Sequence, residues 1–468
     1  MDRISNLPDS LQNHIVSFLP LKDAIICSVL SKQWSHVCSS LSNLDFIEIG
    51  FRVSRECFKS IVDQILSRHD GSDIRKFCLM VSPFEDEFLS LLHVNTWISF
   101  ALRHNVQELY MFISSNRPED LLQAVQPQPQ IQFPCAMFTC ATLTSLTLVA
   151  SYKKLKFPPD TRFPVLKKMT LWMISFADEY LTNKFFSDFS CPMLNDLFIR
   201  YCKIKNITTL NISFSSLKHF SLYENLSHSY KINLSAPNLL EFVYIGMYPP
   251  DIISRTFSSL VSATFKGEGN PYDLDDVSNC PRKILQELRN VETLALLGSF
   301  IEFLNRDQYF RSSLPTPYHS LKYLQLGMDA YQNQGHELIF LLRNCPNIQR
   351  LSITYHPLKT TCLNMLSLKE YWPCKEFLAG DLLKYLTTVE IQKFQGSRSQ
   401  LDIVRFLLQS ASNLEKMTII WLDEEHQDLE TRTRVFQELL NFTKVSPQVE
   451  VLLFTQEGVA YDPKQEQE

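Results

Sequence analysis

Ser190-Cys191-Pro192-Met193-Leu194-Asn195-Asp196-Leu197-Phe198-Ile199-Arg200 contains the unit apolar-x-x-apolar-x-apolar, with Leu194, Leu197 and Ile199 as its apolar members. The second half of the unit alternates with the period of two that a strand imposes. Leu197 and Ile199 therefore share one face, and Phe198 and Arg200 the other. The same unit begins at Ile74, Val106, Leu143, Leu166, Leu217, Leu239, Leu260, Val291, Leu321, Ile348, Leu386 and Leu414, at spacings of 21 to 38 residues. A single short strand with one apolar face cannot bury that face alone. Stacked neighbours can, each strand extending a parallel sheet while helix or loop makes the connection.

This periodicity is that of leucine-rich repeats, and it predicts an α/β solenoid with a curved parallel sheet. Side chains on either side of the last apolar position point away from the core, toward the concave face. The position after it reads Phe112, Val149, Trp172, Arg200, Tyr223, Ile245 and Lys266 in successive units, and the position before it includes Tyr110, Phe198 and Val243. Trp172, Arg200 and Tyr223 are predicted lateral neighbours about 5 Å apart. Trp, Arg and Tyr dominate binding hot spots, so Tyr110, Phe112, Trp172, Phe198, Arg200 and Tyr223 form the candidate substrate surface. The competing reading covers these side chains with loops or helices as ordinary core aromatics.

The chain has 468 residues, 45% hydrophobic and 20% charged, with 33 Phe and 17 Tyr. That is more than one core usually organises, and ample apolar surface to order a repeat array. A net charge of −5 with basic residues only in singles and pairs argues against nucleic acid as a partner. The uncharged run from Leu121 to Tyr152 is interrupted by Pro127, Pro129 and Pro134, so no membrane span is expected. The start, Met1 to Asn6, lacks a basic and then apolar leader, which predicts cytoplasm or nucleus. Twelve cysteines without a Cys-x-x-Cys pair read as reduced core residues, and no metal or cofactor is expected. Asn-x-Ser/Thr triplets at Asn206, Asn211, Asn225, Asn233 and Asn441 read as polar turns. With 11 Gly and no nucleophile signature, a phosphate loop or hydrolase is not expected.

The first fifty residues differ from the repeats. Leu11, Ile15, Phe18 and Leu19 fall on one stripe of a helix opened by Pro8 and Asp9 and closed by Pro20. A second helix from about Leu21 to Val29 has Ile25 and Val29 on one face and Ile26 and Leu30 on the next. Ser31 caps a third that aligns Trp34, Val37, Cys38 and Leu41. So much apolar surface on three short helices predicts a docking module that buries part of it against a partner. A helical cap on the repeat array is the plainer alternative.

Four ordered blocks, Asp2 to Asp9, Phe18 to Ala24, Ser28 to Trp34 and Asn43 to Phe46, closely resemble the plant F-box. The resemblance implies that Leu7, Pro8, Leu11, Ile15, Leu19, Val29, Leu30 and Trp34 pack on a Skp-type adaptor, and through it reach a cullin. Gln33 stands where the family usually has Arg. Cys191-Pro192 and Cys345-Pro346, each before a strand, resemble structural positions of the repeats in plant F-box proteins. Near the C-terminus, Trp372 to Leu378 leads into the strand pattern Leu386 to Ile391, then Gly396, a helix-like Leu401 to Leu408, and Leu414 to Ile419. This order resembles the FBD domain, with Phe377-Leu378 in place of the usual Cys-Leu. An acidic stretch from Asp423 to Glu430, His426 included, reads as the solvated start of an amphipathic helix with Val435, Phe436, Leu439 and Leu440 on one side.

The expected organisation is α+β overall: an F-box at 1–48, repeats at 49–365, an FBD-like region at 366–455 and a tail at 456–468. Resemblance implies a non-catalytic substrate-recognition subunit of a cullin ubiquitin ligase that captures a protein substrate. A repeat scaffold unconnected to ubiquitin, and a hydrolase built on repeats, are the alternatives.

Overall fold

The computed structural model describes residues 7–16, 18–28, 32–48, 54–81, 91–113, 133–150, 155, 157–176, 178–204, 206–224, 230–254, 257–270, 280–306, 317–330, 334–356, 382–422 and 429–455. The chain divides into two compact units, one of residues 1–224 with 229–236, the other of residues 225–228 with 237–468.

The first unit opens with three short helices, α1 (Asp9–Val16), α2 (Leu21–Ser28) and α3 (Lys32–Ser39). Pro8 starts α1 by offering its carbonyl to the N–H of Leu11 at 2.9 Å and of Gln12 at 3.1 Å. Proline suits this place because its missing N–H would have no intrahelical partner there. After α3 the chain enters β1 (Asn43–Ile47), then α4 (Arg55–Arg68), β2 (Lys76–Val81), α5 (Leu91–Arg103), β3 (Glu108–Ile113), β4 (Ser145–Val149) and β5 (Lys168–Trp172). Next come β6 (Ser175–Phe176), α6 (Glu179–Phe185), β7 (Asp196–Arg200), β8 (Lys203–Ile204), β9 (Thr209–Ser213), β10 (His219–Tyr223) and β11 (Lys231–Ser235). Strands β1, β2, β3, β4, β5, β7 and β10 pair in that order, all parallel and without slippage.

In the second unit, β12 (Glu241–Gly246), β13 (Ile252–Ser254) and β14 (Ser262–Gly267) precede α7 (Cys280–Glu287), β15 (Thr293–Gly298), α8 (Phe300–Arg306) and β16 (Tyr323–Asp329). Then follow α9 (Gly335–Arg343), β17 (Arg350–His356), β18 (Thr388–Phe394), α10 (Arg398–Ser410), β19 (Lys416–Trp421), α11 (Leu429–Leu440) and β20 (Glu450–Phe454). Strands β12, β14, β15, β16, β17, β18, β19 and β20 pair in order, again all parallel.

Each of the thirteen sequence units is one strand that begins two residues after the first apolar member. The three apolar residues of every unit are at most 2% exposed, so one face of each sheet is continuous core. Backbone bonds repeat with the units as well: the Lys167 carbonyl accepts from Asn195 N and Asp196 N, and the Asn195 carbonyl from Lys218 N and His219 N. These shared acceptors fix the register that the apolar pattern demands.

Among the strands of the two parallel ladders, β1 and β20 lie outside the thirteen. Leu41, Leu44 and Phe46 complete a unit that forms β1, so the end of the three-helix module is itself the first rung of the sheet. In β20 the first apolar place is held by Gln448, which hides the unit. The Asn triplets also correct the turn reading. Asn206 lies in a turn with φ 58, but Asn211 and Asn233 sit in β9 and β11, where Asn233 Nδ2 donates to Asn211 Oδ1 at 2.8 Å. On α11, Val435 and Leu439 are buried but Leu440 is 55% exposed, so the predicted stripe is narrower than expected. The Trp372 to Leu378 segment and His426 lie outside the described residues.

Candidate functional site

In the N-terminal module, Val16, Ala24, Trp34 and Val37 form the core, each at most 8% exposed. Gln12 is also sealed inside, its Nε2 donating to the Leu7 carbonyl at 2.8 Å. The opposite surface is apolar and open: Leu11 48%, Ile15 39%, Phe18 74%, Leu19 38% and Ile26 56% exposed. Pro8 is exposed and Leu7 half-buried beside α1. Of the residues that resemblance assigned to an adaptor, Leu11, Ile15 and Leu19 stand on this surface. Trp34 does not: at 8% exposure it belongs to the core of the module. Val29 and Leu30 lie outside the described residues. Phe18 and Ile26 are exposed apolar residues too; the helical periodicity placed Phe18 on the stripe of Leu11, Ile15 and Leu19, and Ile26 on a face with Leu30.

The module is tied directly to the repeats. Asp70 N donates to the Ser39 carbonyl at 3.0 Å, Arg75 N and Lys76 N to the Ser42 carbonyl at 2.8 and 3.0 Å, and β1 pairs with β2 over five residues. A rung of sheet, not a linker, therefore sets the direction in which the apolar surface faces.

The second candidate surface lies on the strand face opposite the core. Register places Phe112 opposite Val149, Val149 opposite Trp172, Trp172 opposite Arg200, and Arg200 opposite Tyr223. One row inward, Tyr110, Thr147, Thr170, Phe198 and Ser221 run parallel to it. Tyr110, Phe112, Trp172, Phe198, Arg200 and Tyr223 are all half-buried, between the sealed core and free surface. The structure thus brings Trp172, Phe198, Arg200 and Tyr223 into one patch, with Tyr110 and Phe112 beyond Val149 and Thr147 on the same face.

Arg200 is the centre of this patch. Its guanidinium carbon lies 5.0 Å from the Tyr223 ring centre and 5.8 Å from that of Phe198, and Lys168 Nζ is 5.6 Å from the Phe198 ring. The rings hold the two cations by their negative faces. Arg200 Nε and Trp172 Nε1 are both sealed without an acceptor among the described residues. An unsatisfied sealed donor costs ~1–3 kcal/mol, and native structures keep few of them. The backbone just beyond is strained too: Met173 at φ 54 and Tyr201 at φ 51 are left-handed, held by Met173 N to Arg200 O at 2.9 Å and Tyr201 N to Tyr223 O at 2.7 Å. Such conformations cost on the order of 1 kcal/mol or more for residues with a Cβ, and they concentrate at functional sites.

The Cys-Pro positions are structural. Cys191 and Cys345 are at most 2% exposed, and their carbonyls accept from Leu194 N and Ile348 N in the turn before each strand. Burial drives the Cys191 thiol well above its ordinary range and the Cys345 thiol up to about 12, so neither is a nucleophile at neutral pH. Among the described residues, no cluster of His, Cys, Asp and Glu could hold a metal ion, and no helix is long and apolar enough to cross a membrane.

A docking module with an open apolar surface, fused to stacked β-strand repeats, defines an F-box protein with leucine-rich repeats. The F-box domain family matches residues 4–46, and the family described as At1g61320/AtMIF1, LRR domain matches residues 65–443. The chain belongs to that leucine-rich-repeat family and is a plant-type F-box protein. It is 29% identical over 361 residues to the Putative F-box protein At3g44060 of Arabidopsis thaliana, spanning 74% of this chain and 78% of the relative. It is 24% identical to the Putative F-box/FBD/LRR-repeat protein At4g03220 of the same plant, over 90% of this chain and 89% of the relative. Against the FBD-associated F-box protein At4g13985, also from Arabidopsis thaliana, the identity is 24% over 97% and 96%.

Proposed function

We infer that this chain is the substrate-recognition subunit of a Skp-cullin ubiquitin ligase, with the F-box docking on a Skp-type adaptor and the repeats holding a protein substrate. The observation that carries this reading is the open surface of Leu11, Ile15, Phe18, Leu19 and Ile26 on a module whose core is otherwise closed. Apolar side chains this exposed and this clustered need a partner to cover them. The direct splice of F-box into β1 supports the second half of the reading, because a rigid joint holds a captured substrate at a fixed direction from the adaptor.

The subunit itself carries no chemistry in this account. It raises the effective concentration of a substrate lysine near activated ubiquitin borne by another protein. The substrate surface is the stripe of Tyr110, Phe112, Trp172, Phe198, Arg200 and Tyr223, supported by its register and by two donors left unmatched. Residues 366–455 form an FBD-like continuation of the repeats, and the working compartment is cytoplasm or nucleus.

The test is proximity labelling with proteasome and cullin inhibitors present, comparing wild type with the Leu7→Ala, Pro8→Ala double variant. Proteins that accumulate only around the wild type, together with co-purification of a Skp-type adaptor, support the reading. A chain that co-purifies with no adaptor is a scaffold unconnected to ubiquitin.

A further inference from the structure

The acidic groups on the strand face of the first unit already have partners. Lys76 Nζ meets Asp45 Oδ1 at 3.1 Å, Arg75 meets Glu108 at 3.5 Å, and His219 Nδ1 meets Asp196 Oδ1 at 2.6 Å. Arg200 and Lys168 have no acidic partner among the described residues, and both lean on the same ring, Phe198. Glu224, a buried acid, follows Tyr223 and acts on the Cys202 thiol.

Two kinds of unmet demand therefore meet in one place. Among the described residues the cations lack a counter-charge, and Arg200 Nε and Trp172 Nε1 lack acceptors although Trp172 and Arg200 are paired across adjacent strands. Both groups only donate, so what completes them must supply oxygen acceptors and no competing donors. A guanidinium flanked by the Tyr223 and Phe198 rings presents a planar fork, the shape that pairs bidentately with a carboxylate or phosphate. An amide or hydroxyl would leave the positive charge unanswered.

We propose that the Trp172–Arg200–Tyr223 patch recognises an anionic side chain in an exposed segment of the protein substrate, an oxyanion flanked by apolar or aromatic residues. This rests on the reading of that face as the substrate surface and adds the class of residue it selects. The oxyanion enters against Arg200, and the Trp172 and Arg200 side chains turn to give it the donors that are sealed in the free chain. Trp172, Phe198 and Tyr223 cover the neighbouring apolar side chains. Lys168 adds a second positive charge on the far side of Phe198.

The probe is a random twelve-residue peptide library displayed on phage and selected against the full chain in complex with a Skp-type adaptor. Selected sequences are then synthesised with the recurrent acidic position as Glu, phosphoserine or Gln, and titrated by fluorescence anisotropy. The expected result is enrichment for an acidic residue beside apolar ones, with Gln at least tenfold weaker than Glu. Arg200→Ala should lose at least tenfold for the Glu and phosphoserine peptides, and Arg200→Lys should recover part of it. If phosphoserine outbinds Glu tenfold or more, the oxyanion is a phosphate; the reverse order makes it a carboxylate. Peptides that require Trp172 and Tyr223 but show no preference for Glu over Gln overturn the anion proposal and leave the substrate face standing. Failure to select any peptide that Trp172→Ala weakens overturns both. Adaptor binding and the melting temperature of each variant are measured in parallel, so that a lost fold is not read as a lost contact.

Discussion

His69 Nε2 donates to the Leu41 carbonyl oxygen at 3.2 Å, joining the helix α4 side of the first repeat to the residue where the F-box passes into β1. Its other nitrogen, Nδ1, accepts from Gly71 N at 3.3 Å. Only the neutral ring protonated at Nε2 can make both bonds, since a second proton on Nδ1 would face the Gly71 N–H. Burial, aided by His104, holds the His69 pKa below its ordinary 6.5, against the Leu41 bond and Asp70 that favour the charge.

A depressed histidine pKa means the unfolded chain takes its proton first as pH falls. The His69 contribution is thus fully present above about pH 6.5 and is lost as pH drops toward the folded value. His69→Gln retains a donor for Leu41 but no titration in this range. Melting curves between about pH 5 and pH 7.5 should show wild type losing stability on acidification more steeply than the variant. Parallel curves would remove His69 from the joint.

Gly246, Gly267 and Gly298 occupy matching register positions at the ends of β12, β14 and β15. At Gly298 φ is +61, and an added Cβ would lie 2.0 Å from the Gly267 carbonyl oxygen, a backbone atom that cannot swing aside. Gly71 is also left-handed, at φ +90, but nothing lies within 4 Å of its Cβ direction. Gly298→Ala should therefore destabilise by about 3 kcal/mol or more, and Gly71→Ala by only about 1 kcal/mol, read from urea unfolding. Equal losses would mean that backbone conformation, not contact, governs both sites.

The sheet was legible because its repeat is a pattern of apolar residues, and every strand it announces exists. What escaped had no such pattern or wore a misleading one. Gln448 breaks the unit of β20, and Leu41, Leu44 and Phe46 were absorbed into the F-box blocks although they also spell a repeat. Trp34 lies on the face its helix periodicity picked out, but periodicity does not distinguish core from interface when the domain expects a partner for part of its apolar surface. The Trp172–Arg200–Tyr223 row followed from alternation plus register; the missing acceptors around it could not, because an absence of partners belongs to three dimensions.

Glu302, on α8, is 2% exposed and lies near Asp329 and Glu337, themselves at most 3% exposed. Gln334 Nε2 donates to its Oε1, while Oε2 has no hydrogen-bond partner among the described residues. Desolvation, with the nearby acids, raises its pKa to about 7. A raised carboxyl pKa makes the folded state hold a proton that the unfolded chain has released, so stability falls as pH rises from about 4.5 to 7. Glu302→Gln removes that slope, and the variant should gain on the order of 2 kcal/mol relative to wild type between about pH 5 and pH 8. Denaturation midpoints at those two pH values check it, and an unchanged difference would mean that Glu302 is ionised throughout.

Phe18 and Trp34 separate the two roles that apolar residues play in the F-box. Phe18 is 74% exposed, touching the His14 ring at 4.8 Å, whereas Trp34 is 8% exposed. Phe18→Asp removes no core contact and should change stability by less than about 0.5 kcal/mol. If Phe18 anchors the adaptor, the same change buries a charge in that interface and should cost at least 2 kcal/mol of binding, roughly thirtyfold. Trp34→Ala does the opposite, opening a cavity among α1, α2 and α3 worth about 3–5 kcal/mol of stability and weakening the adaptor only through unfolding. Calorimetric titration with a Skp-type adaptor, at a temperature where both variants remain folded, distinguishes them. Phe18→Asp binding as wild type does would move the docking surface away from the α1–α2 turn.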